Sequence, residues 1–146
     1  MLFRSFKDAL SFEGETGPYI QYAVVRTRSI FRKAETTPDA ALAAMETIDA
    51  SPYLAEDDTE NIWQVWLRAA KTSLLLDQCI ATAEPAYLAK HAFQLAQEFS
   101  NFYHNHHILT EDDAARKTFL LATAAVTLLE LVTVLSWLGI ESPEAM

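Results

Sequence analysis

The stretch "FLLATAAVTLLELVTVLSWL", residues 119–138, is apolar on almost every side of a helix and decides the fold class of this chain. Its length would allow it to cross a bilayer. However, Glu130 lies near its middle, where a charge costs about 2.5–3.5 kcal/mol on insertion scales, and no basic cluster follows it. Thr123, Thr127 and Glu130 also form a narrow polar stripe at helical spacing. These features favour the central helix of a bundle over a membrane span.

Helix signals recur along the rest of the chain, and no strand pattern of any length accompanies them. Proline, threonine and aspartate at the predicted helix starts are typical of N-terminal capping. The segment 60–83 is expected to be one helix or two, with Thr72–Ser73 as its weak point. The sequence therefore predicts an all-α fold, a single antiparallel bundle of about five helices. The predicted helices run from 17 to about 35, from 38 to about 49, through 60–83, from 85 to about 104, and from a Thr110–Asp113 capping box to Gly139.

Two of these helices show a core face in their periodicity. In the helix that begins at 85, apolar residues recur at steps of three and four, as expected for one buried stripe. The first helix can enter the core through a similar stripe. The predicted core positions are Leu88, Ala92, Leu95, Phe99 and Phe102 in the former, and Ile20, Ala23 or Val24, Thr27, Phe31 and Ala34 in the latter.

Charge is distributed unevenly along a chain whose formal net charge is −9. Residues 20–34 hold four cations and no acid, whereas residues 36–63 hold seven acids and no Lys or Arg. The acidic segment would repel a polyanion, so a nucleic acid would have to bind elsewhere. Either it is a solvated face that aids solubility, or it is a surface that docks a basic partner protein.

The basic segment places four polar residues on one face of the first helix: Tyr22, Arg26, Ser29 and Lys33. An exposed tyrosine offers a ring for base stacking, and an arginine four residues later can reach a phosphate or a base edge. The same pattern also fits a tyrosine packed at the edge of the bundle beside solvated cations. The residues alone leave both interpretations open.

Cysteine and histidine usage limits the chemistry that this chain can support. Cys79 is the only cysteine, which excludes an internal disulfide and a thiolate zinc cluster, and which fits a reducing, cytoplasmic location. The N-terminus lacks the pattern of a signal peptide. The run "HNHH", residues 104–107, has a ligand-like spacing, but a metal site would need a distant partner. Loop-facing histidines at a helix end are the better interpretation, and we expect no metal and no cofactor.

Three ordered blocks give the chain a family resemblance. These are "LSFEGETGPYIQYAVVRTRSIFRKA", residues 10–34, "EPAYLAKHAFQLAQEFSNFYHNHHIL", residues 84–109, and "LLELVTVLSWLGIESPEAM", residues 128–146. Together they resemble the C-terminal, DALR-type anticodon-binding domain of arginyl-tRNA synthetases, including its Gly-x-Thr-x-x-Tyr-x-Gln-Tyr-Ala-x-x-Arg pattern. The resemblance covers nearly the whole chain and is weakest from about 37 to 75.

The resemblance implies a helical bundle that recognises the anticodon loop of arginine tRNA in support of aminoacylation. It implies that residues 1–16 are a linker remnant from a missing catalytic domain and that 17–146 are the helical domain. It also implies that Tyr22, Arg26, Tyr103, Met146 and the position of His107 touch anticodon nucleotides. With the helix face described above, the predicted RNA-binding residues are Tyr22, Arg26, Ser29, Lys33, Tyr103, His107 and Met146.

The chain carries no sequence signature of catalysis. The His-Ile-Gly-His and Lys-Met-Ser-Lys-Ser motifs of these synthetases are absent, as is a glycine-rich phosphate loop. We therefore expect no aminoacylation by this chain alone, whose partners would be the tRNA and a separate or missing catalytic domain. Because the chain is acidic, we expect its own RNA binding to be weak and strongly salt-dependent. The alternative function is a stand-alone helical protein-interaction module that no longer binds tRNA.

Overall fold

The computed structural model describes residues 16–55 and 59–146, and in these ranges the chain is helical with no strand. The predicted linker 1–16, except Thr16, and the acids at 56–58 lie outside the described residues. Seven α-helices and one 3-10 turn are present in the described part. They are α1 Gly17–Lys33, α2 Pro38–Met45, α3 Ser51–Leu54, α4 Glu60–Ala69, α5 Thr72–Thr82, α6 Ala86–Asn105, the 3-10 turn Ile108–Thr110, and α7 Ala114–Trp137.

Helix α7 is the centre of the bundle. It packs against α1, α2, α4 and α6, which explains why its sequence is apolar almost all round. By length and hydropathy alone α7 would qualify as a membrane span, yet 61% of that apolar window is buried against the other helices. The prediction of a central bundle helix is therefore confirmed by the packing.

The two threonines of the polar stripe of α7 form hydrogen bonds inside the bundle. Buried Thr123 and Thr127 each donate their hydroxyl to the carbonyl four residues earlier, over 3.0 and 3.1 Å. Trp66 of α4 donates its indole N–H to the Thr123 hydroxyl oxygen over 3.0 Å. Thr123 thereby links α4 to α7, whereas Glu130 lies at a half-buried position.

The core faces predicted for α1 and α6 are confirmed. All five residues of the α6 stripe are buried, and so are Ile20, Ala23, Val24, Thr27 and Phe31 of α1. Ala34 is half-buried, because it caps α1 and lies at the edge of the core. These two stripes pack α1 and α6 against each other and against α7, which brings the polar faces of α1 and α6 side by side.

Several helix boundaries differ from those predicted. The segment 60–83 forms two helices that break at Ala70–Lys71, just before the predicted weak point, and α2 ends at Met45 rather than near 49. The prediction that a Thr110 capping box begins the last helix was wrong. Asp113 is the cap, since its Oδ1 accepts the N–H groups of Ala115 and Arg116. The Arg116 N–H and, next, the Tyr53 hydroxyl hold the pKa of the Asp113 carboxyl below its usual value.

Candidate nucleic-acid interface

Tyr22 and Arg26 lie one turn apart on α1, as the helix periodicity predicts. The helix is anchored at its start by Thr16, whose hydroxyl oxygen accepts the Tyr19 N–H over 3.4 Å. Pro18 stands in the first turn, where its missing N–H removes no helical hydrogen bond. Tyr22 is 51% exposed, so its ring is accessible to a stacking partner.

Arg26 reaches from α1 onto α6. Its guanidinium carbon lies 4.4 Å from the centre of the Tyr103 ring, within the range of a cation–π contact. Phe99, one turn earlier on α6, also contacts Tyr103, and the centres of the two stacked rings are 6.0 Å apart. Tyr103 therefore has contacts with both helices, and Tyr22 and Arg26 line a small hollow between α1 and α6.

A groove of about 350 Å³ opens beside Arg26; we call it the Arg26 groove. The end of α6 and the 3-10 turn form its walls, and Lys117 of α7 fixes this turn by donating to the Leu109 carbonyl over 3.0 Å. His106 is the extended residue that ends α6, so the chain turns sharply here. The groove is lined by Arg26, Tyr103, His104, His106, His107, Ile108, Leu109 and Thr110.

His107 lies past the end of α6, at the start of the 3-10 turn, and is exposed. It is not on a continuous helix with Tyr103, because the backbone becomes extended at His106. The turn nevertheless brings His107 to the Arg26 groove. Tyr103, Arg26 and His107 therefore line one groove although they come from three different elements.

The other side of the His106–His107 segment has the opposite electrostatic character. A second hollow of about 310 Å³ contains the carboxylates of Glu111 and Asp112 among its lining residues. Glu111 forms an ion pair with Arg116 over 3.4 Å, which leaves Asp112 as an exposed acid there. A phosphate would be repelled from this hollow, so the Arg26 side is the more suitable face for RNA.

The remaining predicted residues of α1 lie farther along the helix. Ser29 is half-buried, and Lys33 is exposed in the last turn together with Arg32. Neither lines the Arg26 groove. Cations in the last turn also interact favourably with the helix dipole, so Arg32 and Lys33 have a structural role in addition to any contact with RNA.

The C-terminal tail, residues 141–146, folds back onto α1. Gln21 donates its side-chain amide to the Glu141 carbonyl over 2.8 Å. Arg28 Nη1 donates to the carbonyls of Ser142 and Pro143 over 2.8 and 2.6 Å, and lies 3.3 Å from the Glu144 carboxylate. Met146 follows two residues later and is 58% exposed.

Sequence reasoning missed Gln21, Arg28 and His106. Gln21 belongs to the family pattern and Arg28 to the four cations of residues 20–34, but the sequence predicts no contact for either, since their partners lie more than 110 residues away in the chain. His106 was grouped with a polar run, yet it is buried and lines the groove. The one available signal for His106 was its position after the last residue of the α6 core stripe, Phe102, with which its ring packs at 5.3 Å.

No group of three or more His, Cys, Asp or Glu residues that could hold a metal ion occurs in the part of the chain that the structure describes. The histidines at 104, 106 and 107 line the groove individually rather than converging on one point.

Comparison with known proteins gives a consistent match. The family model "DALR anticodon binding domain" matches residues 20–146. The arginine–tRNA ligase of Alkaliphilus metalliredigens is 38% identical over 97% of this chain, and that of Halothermothrix orenii is 34% identical over 97%. The solved arginyl-tRNA synthetase of Thermus thermophilus superimposes with a TM-score of 0.75 at 28% identity, covering 97% of this chain.

The match covers only part of each relative. This chain spans 23% of the length of both ligases and of the Thermus thermophilus chain. The matched part is the helical C-terminal domain, and the catalytic domain of these synthetases lies outside it. The chain belongs to the DALR anticodon binding domain family, and its relatives carry this domain as the C-terminal part of arginyl-tRNA synthetases.

Proposed function

We propose that this chain binds the anticodon loop of an arginine tRNA through the surface formed by Tyr22, Arg26, Tyr103 and the Arg26 groove. The family assignment supports an RNA ligand, and the match to arginine–tRNA ligases supports arginine tRNA in particular. The catalytic part of a synthetase, covalently attached or separate, is the second partner. A cytoplasmic location fits this function.

The observation that carries the proposal is the contact between Arg26 and Tyr103. It joins α1 to α6 and places a guanidinium over the Tyr103 ring, one helical turn from Tyr22, whose ring is half exposed. Single-stranded nucleotides are bound in this way, since bases stack on aromatic rings while guanidinium groups stack on bases or meet phosphates. Among the described residues, no carboxylate forms an ion pair with Arg26. Its N–H groups therefore remain for a ligand.

The charge distribution supports recognition by bases more than by phosphates. The chain has a net charge of −9, and one of the four cations of α1, Arg28, is occupied by the tail. A loop whose bases are unstacked can bind through ring faces and base edges with few phosphate contacts. We expect the catalytic part of the synthetase to supply most of the positive surface that holds the rest of the tRNA.

The test is a titration of this chain with a labelled anticodon stem-loop of arginine tRNA, for the unchanged protein and for Tyr22→Ala. Stacking of one base on an aromatic ring is worth about 1–3 kcal/mol, so the variant should bind about 5- to 150-fold more weakly. Because Tyr22 is half exposed, the substitution should leave the melting temperature nearly unchanged.

Trp63→Ala is the matched control, because Trp63 is an exposed aromatic of α4 that does not line the Arg26 groove. Its affinity should equal that of the unchanged chain. A stem-loop with a non-arginine anticodon should bind more weakly than the cognate one. Equal affinity of all three proteins would remove Tyr22 from the site, and equal affinity for both loops would contradict anticodon recognition.

A further inference from the structure

The C-terminal tail is held to α1 by side chains of two α1 residues, Gln21 and Arg28. Four polar contacts fix residues 141–144: one from Gln21, and three from the single guanidinium of Arg28. Arg28 is only 21% exposed in its side chain, so much of its charge is withdrawn from water. This desolvation would be unfavourable without the two carbonyls and the carboxylate of Glu144.

The geometry fixes the direction of the tail. Gln21 and Arg28 are seven residues apart, hence on the same face of α1 and separated by about 10 Å along its axis. The Glu141 carbonyl meets Gln21, whereas the Ser142 and Pro143 carbonyls meet Arg28 Nη1. The tail therefore passes along α1 from Gln21 toward Arg28 and bends at Glu144. Met146 lies at most about 7 Å from Glu144.

The face that the tail occupies is adjacent to the face of Tyr22 and Arg26. Successive residues are about 100° apart around a helix, so Tyr22 lies next to Gln21, and Ser29 lies next to Arg28. The tail therefore lies along one side of the proposed RNA-binding surface. Its carboxylates would repel phosphates there, and the ion pair with Arg28 offsets one of them.

We infer that Gln21 and Arg28 are positioning residues that set the C-terminal tail as one wall of the RNA-binding surface, with Arg28 acting through the tail rather than on the RNA. The inference rests on the proposed function. It assigns to Arg28, a half-buried cation of the basic segment, a role that differs from that of Arg26. It also explains how the end of the chain stays beside α1 without a helix or strand of its own.

The test is a double-mutant cycle that uses Arg28→Gln and a chain that ends at Ile140. Ile140 is kept because its N–H donates to the Leu135 carbonyl over 2.9 Å and closes α7. Affinity for the arginine anticodon stem-loop is measured for the full chain, each single change and both together. Arg28→Gln should weaken binding several-fold in the full chain, and by less than twofold in the shortened one.

Arg32→Gln is the matched control, because it removes the same charge from an exposed position of the same helix. Its effect should be the same in the full and in the shortened chain. A second readout follows the tail without RNA: the backbone heteronuclear NOE of Ala145 and Met146 should fall in Arg28→Gln to values typical of a flexible end.

The outcomes separate the two proposals. If the unchanged chain does not bind the stem-loop, the proposed function fails and this inference fails with it. If the unchanged chain binds and Arg28→Gln weakens binding equally in both backgrounds, Arg28 touches the RNA directly and only the positioning role is overturned. Full affinity in the shortened chain would also overturn it, because the tail would then not be part of the surface.

Discussion

His91 makes the stability of this domain depend on pH in a way that can be worked out from its contacts. The ring lies between α4, α5 and α6 and is 1% exposed. Its Nε2 is 2.9 Å from the Thr72 hydroxyl oxygen, and this hydroxyl donates its own proton to the Ala69 carbonyl. His91 Nε2 must therefore carry the proton and donate, which leaves Nδ1 as a buried acceptor without a partner among the described residues.

Protonation of His91 is unfavourable in the folded state for two reasons. It would bury a charge and an additional N–H with no acceptor, and it would place this charge near Arg68 and Lys71. Burial first, and then these two cations, lower the pKa of His91 from 6.5 to about 4. Gln94 and Glu98 moderate the charge of Arg68, since they lie 3.0 and 3.7 Å from its guanidinium nitrogens.

The sign of the effect follows from the lowered pKa. Between pH 6.5 and 4 the unfolded chain binds a proton at His91 that the folded chain does not, so the free energy of unfolding decreases as the pH falls. Each pH unit in this window is worth up to about 1.4 kcal/mol. From pH 7 to pH 5 the loss due to His91 should be about 2 kcal/mol.

The assay is urea unfolding followed by tryptophan fluorescence at pH 7, 6 and 5, with His91→Gln as the comparison protein. Glutamine can still donate an amide N–H toward Thr72 but does not titrate in this range. The difference in unfolding free energy between the two proteins should therefore change by about 2 kcal/mol across the window, while the other three histidines contribute equally to both. The reasoning would be refuted if the unfolding free energies of the two proteins changed in parallel with pH. It would also be refuted if a nitrogen NMR spectrum of the His91 ring showed the proton on Nδ1.

Two further predictions follow from the interior and from the charges. Thr123→Val should destabilise the fold by about 1–3 kcal/mol in urea unfolding, because it leaves the Trp66 indole N–H without its acceptor. Thr127→Val should cost clearly less, since that hydroxyl donates only to a helix carbonyl; equal effects would remove Trp66 from the explanation. The salt dependence of stem-loop binding should be shallower than the sequence suggested, because Arg28 is occupied and only Arg26, Arg32 and Lys33 of α1 remain for phosphates. The slope of log K against log salt should be about −2, and a slope beyond −4 would indicate phosphate contacts outside this surface.

The all-helical fold and its central helix could be predicted from local pattern. A helix exposes or buries a side chain according to its position in the turn. The spacing of apolar residues in α1 and α6 therefore indicates which face of each helix is buried, and the almost wholly apolar sequence of α7 indicates a helix buried on most sides. Helix ends were less predictable. Thr110 and Asp113 both suit an N-terminal cap, and only the 3-10 turn that Lys117 fixes selects Asp113.

The sequence by itself determined that Tyr22 and Arg26 share a face, since they are neighbours on one helix. The tertiary structure alone decided that Arg26 lies over Tyr103, that His107 reaches the same groove from beyond the end of α6, and that Arg28 holds the tail rather than facing solvent. These contacts join residues up to 116 positions apart. No local periodicity records such a contact, because it depends on how α1, α6 and the chain end are brought together around α7.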